Sequence, residues 1–480
     1  MRLSWWLSLI VLSIAPAVLA AAADAPHYAL RLAESGANVD MRLCLAQAHA
    51  TVEFAADSLA ALRYLSAVRR ERTDASLSAR ESGWLAQDWR AGECLAYRVD
   101  LDAIAQANDT DVGWRLGDDR VSAPQLLMLR PDVQGDAAAT LTATVPAGWS
   151  ISTPWTTLPV RRAGDLEFRV PSTPPNWSAS IAFGHFAEER ITLPGGALRV
   201  SVLHGADATQ RATLIAWIDR VAHAVLTAYG RMPLADVQVL VIPIKPRREA
   251  AVLFGQSVRG QGNALQLLVN AQRPASEFAA DWMAVHELSH LMHPYLGDRG
   301  AWLAEGLATY YQNVLRARSG IYTPQQAWQE LGDGFARVAR RNGNGDTLEH
   351  AALEMHRTHG FDRVYWSGAA FWLTVDRDLR RASDGKQGLD TVLARFRDCC
   401  LPAYREWAPE DFIARLDALA HTTLIDARYR EFAAARAFPD WQGVFADLGI
   451  RIKSESLDFD VHARDVAARE AIMRAPPPSR

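Results

Sequence analysis

The chain has 480 residues, 49% of them hydrophobic and 22% charged, with a net charge of −4 at pH 7. That length supports two to four domains, each with its own core, and excludes a disordered or fibrous class. The mild acidity offers no basic surface, so no nucleic-acid partner is expected.

The N-terminus reads as a targeting segment. Arg2 is a short positive region, and residues 5–15 are apolar but too few to span a bilayer. Val18-Leu19-Ala20 fits a small-x-small cleavage site, with Ala22 or Ala23 as alternatives. The expectation is a cleaved signal peptide at 1–20 and a secreted or periplasmic mature protein; an uncleaved signal anchor is the competing reading. No later apolar run is long enough to cross a membrane, so no stable span is expected after cleavage. Export permits disulfides. Cys44 and Cys94 could pair, Cys399 and Cys400 are adjacent, and none has metal-site spacing. Asn108-Asp109-Thr110 and Asn176-Trp177-Ser178 are glycosylation sequons.

Residues 24–195 read as a β-rich, sandwich-like accessory domain. Segments 27–32, 38–45, 94–101, 139–145, 166–170 and 178–183 alternate or are rich in β-formers, with turn residues between them. Residues 55–72 look helical. From 196 to 320 the pattern is mixed. Asp207 caps a helix that ends at Gly230, and 237–242 and 264–269 are short strands. Ser276 caps the next helix, Pro294 stops it, and 301–317 is another helix. Residues 321–450 are helical in period, and 451–480 is a polar tail whose end is expected to be disordered. The fold class is therefore α+β and multidomain.

The chemistry concentrates at His286-Glu287-Leu288-Ser289-His290. Two His four apart on a helix share a face and can grip one zinc ion, with the intervening Glu beside it as general base. A catalytic zinc needs a third protein ligand. The residue six after His290 is Leu296, so a third His there is excluded. Glu305, in Trp302-Leu303-Ala304-Glu305-Gly306, follows after 14 intervening residues, enough for a turn and a returning helix. His293 is expected beside the ligands rather than among them. His350, His356 and His359 are expected mostly on a solvated face. The basic loop Lys245-Pro246-Arg247-Arg248 reads as a solvated turn.

These residues resemble the gluzincin metallopeptidases, and most of all the glycyl-aminopeptidase family, with aminopeptidase N as a more distant relative. The matching stretches are 286–290, 302–306, Tyr310-Tyr311 and Val364-Tyr365-Trp366-Ser367-Gly368-Ala369, which resembles the Tyr-x-x-Gly motif of the catalytic tyrosine. Residues 389–397 and 407–412 look like that family's helical domain. The resemblance implies a thermolysin-like catalytic domain (196–320) between a β domain and a helical one (321–450). It implies His286, His290 and Glu305 as ligands of one Zn2+ per chain, Glu287 and Tyr365 as catalytic residues, and peptides or proteins as substrates. Three departures stand out. The span to Glu305 is shorter than in the aminopeptidase N group, and the sequence leaves no room for the C-terminal PDZ domain usual in glycyl aminopeptidases. The stretch 260–265, in the place of the cleft-edge strand that reads a substrate amine, has no carboxylate.

The strand 264–269 is expected to pair with an extended substrate, with Gly262, Asn263 and Ala264 as substrate-binding residues. The leading reading is an exported zinc metallopeptidase. A non-catalytic, zinc-stabilised binding protein is the alternative, and a zinc hydrolase acting on a non-peptide amide or epoxide is the third.

Overall fold

The computed structural model describes residues 24–475 except 73, 110, 160–163, 173–178, 246–248, 259–262, 342–344 and 454–455. The signal segment, the 176–178 sequon, most of the basic loop and Gly262 lie outside the described residues.

The N-terminal half is built from sheets. A seven-stranded sheet runs Thr156–Leu158, Leu166–Val170, Ala139–Thr144, His27–Leu32, Asn38–Cys44, Cys94–Asp100, Leu65–Arg70. Its neighbours are antiparallel except His27–Leu32 with Ala139–Thr144. The strand Asn38–Cys44 alternates buried Val39, Met41 and Leu43 with outward Asp40 and Arg42, the period-2 pattern of a half-buried strand. Two four-stranded sheets complete this half. Of the helix expected over 55–72, only Leu59–Leu62 forms; Leu65–Arg70 is a strand, because pairing with Cys94–Asp100 outweighs local propensity. Cys44 and Cys94 face each other across paired strands and form a disulfide; Cys399 and Cys400 form a second.

The second half begins with a five-stranded sheet in the order Glu188–Leu193, Gly196–Val202, Asp236–Pro243, Ala264–Val269, Val252–Val258. The three inner strands are parallel and the two edges antiparallel. Inner strands are covered on both faces, which explains why they are buried along nearly their whole length and mostly apolar, with Gln238 and Gln266 as the polar exceptions. The sheet thus starts N-terminal to residue 196. The helix Ala208–Tyr229 joins two of the parallel strands. Asp207 and Gln210 form a reciprocal capping box, and Gly230, at φ +72°, closes the helix in the left-handed region.

Helices follow from Ala275 onward. One hydrophobic core runs from Leu193 to Met473, so the sheet and the helical region share a single interior. The expected polar tail is a correction. Ile450–Ile452 pairs with Leu457–Phe459, and Val466–Met473 is a helix whose buried Ile472 also accepts a hydrogen bond from Arg318 through its carbonyl. Its buried apolar residues are spaced at helical intervals among charged ones, which masks them in composition.

The two halves meet through an apolar cluster, Val121, Ala182 and Phe186 against Leu203, Leu240, Ile242 and Leu268, and through polar groups. Arg199, 5% exposed, binds Glu188 and Asp236 and donates to the carbonyls of Thr153 and Trp155. Gln238 and Gln266 donate to Ser152 and Ser180 across the same interface.

Candidate metal centre

The motif sits on a short element. Ala275–Ala280 is a separate turn of helix capped by Pro274, the chain kinks at Asp281, and Met283–Ser289 carries the motif. Ser276 therefore does not cap the motif helix; Asp281 accepts from the Met283 amide instead, an Asx turn that restarts the helix. His290 to Met292 tightens into a 3-10 turn before Pro294. Ala284, Val285 and Leu288 anchor the helix in the core.

His286, Glu287 and His290 are buried, at 2%, 8% and 6% exposure. Glu305 lies in the second turn of the helix Ala301–Arg318, which packs against the motif helix. Its Oε2 is 3.2 Å from His286 Nε2 and 3.5 Å from His290 Nε2. One ligand atom from each residue lies within 4.8 Å of the others. Tetrahedral zinc with bonds of about 2.0–2.1 Å has edges of about 3.3 Å, so these separations fit the ion. The donor set, two imidazoles and a carboxylate with room for a fourth group, is that of a catalytic zinc site.

Hydrogen bonds fix the tautomers. Gln312 lies seven residues after Glu305 on the same helix face, and its Oε1 sits 2.8 Å from His286 Nδ1. The amide oxygen only accepts, so His286 Nδ1 carries a proton, and Nε2 is turned toward Glu305. The Pro294 carbonyl is 2.7 Å from His293 Nδ1, and His293 Nε2 is 3.2 Å from His290 Nδ1. By the same logic His293 accepts from His290 Nδ1–H, and His290 Nε2 faces Glu305. His293, 1% exposed, is therefore a support for a ligand.

Burial alone would raise the Glu305 carboxyl, but the imidazoles of His290 and His286 hold it well below the usual range. Burial pushes Glu287 up against the opposing pull of the two His, and the Ser257 amide donates to it. Tyr365 stands on the helix Phe361–Ala382, its ring stacked 5.9 Å from His286 and its hydroxyl close enough to feel the Glu305 carboxylate. Burial and the carboxylates of Glu305 and Glu287 push that hydroxyl up, so it stays protonated.

Glu287, His290, Glu305 and Tyr365 line one cleft of about 390 Å3, with the strand Val252–Val258 along one wall. This corrects the expected substrate strand. Ala264–Val269 is flanked on both sides and Ala264 is 0% exposed, so its backbone is already paired. The amide of Asn263 bonds to the Pro154 carbonyl. Neither Asn263 nor Ala264 lines the cleft. The edge is Val252–Val258. The Ser257 amide points at Glu287, so the alternate residues Gly255 and Ser257 turn their backbone groups toward the cleft. A Cβ on Gly255 would come within 2.9 Å of Glu287 Cγ, so glycine lets the strand approach Glu287 closely. This strand also lacks a carboxylate.

Sequence reasoning missed Phe254, Gln256, Asp298 and Met355, which line the cleft with His356. His356 alone of the three clustered His reaches it. Arg299, next to Asp298, is held away by Glu349 and Glu410. No helix among the described residues is long and apolar enough to cross a membrane.

Residues 283–367 match the family model of the M61 glycyl aminopeptidases. A search of the curated proteins by sequence finds no match. Solved structures share the fold. The aminopeptidase N family protein of Idiomarina loihiensis superposes with a TM-score of 0.69 at 15% identity, covering 90% of this chain and 80% of that one. The M1 zinc metallopeptidase of Deinococcus radiodurans gives 0.54 at 15% identity, covering 87% and 95%. A mutant of that enzyme bound to a Tyr-Ser-Ala substrate gives 0.55 at 14% identity, with the same coverage. At such identities the likeness is one of fold. The chain thus resembles the gluzincin peptidases in its motif segment and the aminopeptidase N group in architecture.

Proposed function

We propose that this chain is an exported zinc-dependent metallopeptidase that hydrolyses peptide bonds. The observation that carries the reading is the cluster of His286, His290 and Glu305 at a cleft that His290, Glu305, Glu287 and Tyr365 line beside an open strand edge. His286, His290 and Glu305 hold one zinc ion per chain. When bound there, zinc supplies the Lewis acidity that acidifies a water and polarises the scissile carbonyl.

The chain's own groups do the rest. Glu287 takes the proton of the attacking water and returns it to the leaving amine. Its carboxylate is aimed by the Ser257 amide. Tyr365, kept protonated, donates to the tetrahedral oxyanion, a contribution of about 3 kcal/mol by comparison with other oxyanion donors. The backbone of Gly255 and Ser257 aligns an extended substrate along the edge strand, leaving Phe254 and Met355 to contact side chains.

The second reading is a zinc-stabilised binding protein without turnover. The absence of any carboxylate on Val252–Val258 to receive a substrate amine speaks for it. Mapping the products of a mixed peptide pool, with and without chelator, separates the two. Chelator-sensitive cleavage supports the peptidase, and its position distinguishes internal from N-terminal cutting. A pool left intact by the zinc-loaded protein rejects it.

A further inference from the structure

The Glu305 helix and the Tyr365 helix touch backbone to backbone at one point. A Cβ built on Gly368 would lie 1.9 Å from the Trp302 carbonyl oxygen and 2.7 Å from Gly306 Cα. One built on Gly306 would lie 2.3 Å from Gly368 Cα. The obstructing atoms are main chain, so no rotamer change relieves the clash. Glycine inside a helix costs about 1 kcal/mol relative to alanine. Two of them facing each other mid-helix call for a reason beyond filling space.

Their place in the chain supplies one. Gly306 follows the ligand Glu305 directly. Gly368 lies three residues after Tyr365, on the same face of its helix. Two further bonds pin the same crossing. Trp372 Nε1 donates to the Leu303 carbonyl at 2.8 Å, and Tyr310 Oη donates to Asp376 at 2.8 Å. The Glu305 helix also carries Gln312, which orients His286. The separation of the two helices therefore sets how far the Tyr365 hydroxyl stands from the whole ligand set.

We propose that Gly306 and Gly368 are positioning residues, a spacer that sets the distance of the Tyr365 hydroxyl from Glu305 and from the reacting oxyanion. The proposal rests on the peptidase reading for its catalytic consequence, but not for its geometry. Admitting one methyl at Gly368 requires the backbones to part by about 1.3 Å to restore an ordinary contact, and misplacing a catalytic group by about 1 Å can cost on the order of 100-fold in rate.

The test is a double-mutant cycle between Gly368→Ala and Tyr365→Phe, read as kcat and KM separately. With Tyr365 present, Gly368→Ala is expected to lower kcat about 100-fold and leave KM within about 3-fold. In the Tyr365→Phe background the same change is expected to lower kcat by less than about 3-fold, because the group it misplaces is gone. Equal losses in both backgrounds overturn the proposal, as does a loss confined to KM. A crystal structure of the metal-free Gly368→Ala protein is the second arm, and is independent of turnover. There the Tyr365 hydroxyl is expected to stand about 1 Å farther from Glu305 than in the parent; an unchanged separation overturns the spacer even if the wild-type chain hydrolyses nothing. Wild-type inactivity by itself counts against the peptidase reading alone. If Gly368→Ala does not fold, Trp372→Phe loosens the same crossing without adding volume. Its smaller fall in kcat is expected to vanish in the Tyr365→Phe background, and persistence there overturns the proposal.

Discussion

Replacing His293 with Ala should weaken zinc binding without touching a ligand. The chain of bonds from the Pro294 carbonyl through His293 to His290 Nδ1 does two things. It fixes the proton on Nδ1, leaving Nε2 for the metal, and it locks the ring plane. In the Ala variant His290 regains ring rotation and the competing tautomer. Loss of such supporting partners costs about 10–100-fold in metal affinity, or about 1.4–2.7 kcal/mol. Competition against a chromogenic chelator measures this. His293→Gln, whose amide oxygen can accept from His290, should recover part of the loss. Thermal melts of the metal-free proteins separate this effect from the cost of emptying a site that is 1% exposed. An Ala variant that binds zinc as tightly as the parent would refute the argument.

Other expectations follow from single groups. Tyr365→Phe should retain its zinc and lose about 100- to 1000-fold in kcat; a change in KM alone would remove Tyr365 from the transition state. Arg199→Met should destabilise the fold by about 1–3 kcal/mol, since it leaves the carbonyls of Thr153 and Trp155 without their donor and takes one partner from each of Glu188 and Asp236; urea melts within about 0.5 kcal/mol of the parent would contradict this. Burial pushes the Asp57 carboxyl from 3.8 up to about 6 despite Arg130. The folded chain then holds a proton that the unfolded chain has released. This contribution is fully present below the unfolded value and is lost as pH rises through the folded one. Relative to Asp57→Asn, the parent should lose on the order of 3 kcal/mol between about pH 4 and 6; parallel stability curves would rule it out.

The meeting of His286, His290 and Glu305 was legible because its evidence is local. His286 and His290 share a helix face by spacing alone, and Glu305 needs only a turn and a returning helix. Strands such as His27–Leu32 and Leu166–Val170 were legible in their alternation. The cleft wall was not. Val252–Val258 contains Gly255, Gln256 and Ser257, weak β-formers, whereas Ala264–Val269 is a strong apolar strand. Which of the two is the edge depends on strand order, a nonlocal property that places the more apolar strand inside. His293 was legible as a neighbour of the ligands, but its role in setting a tautomer depends on the Pro294 carbonyl. The Gly306–Gly368 contact joins residues 62 apart in the chain and has no local signature.

The central claim is that Glu287 moves the proton of the attacking water at a site whose zinc is held by other residues. Glu287→Gln tests it most directly, with metal content by mass spectrometry and peptide hydrolysis measured on one preparation. The account predicts one zinc per chain, as in the parent, and turnover reduced by about 100- to 10,000-fold. A variant that keeps its zinc and cleaves peptides at the parental rate would contradict it.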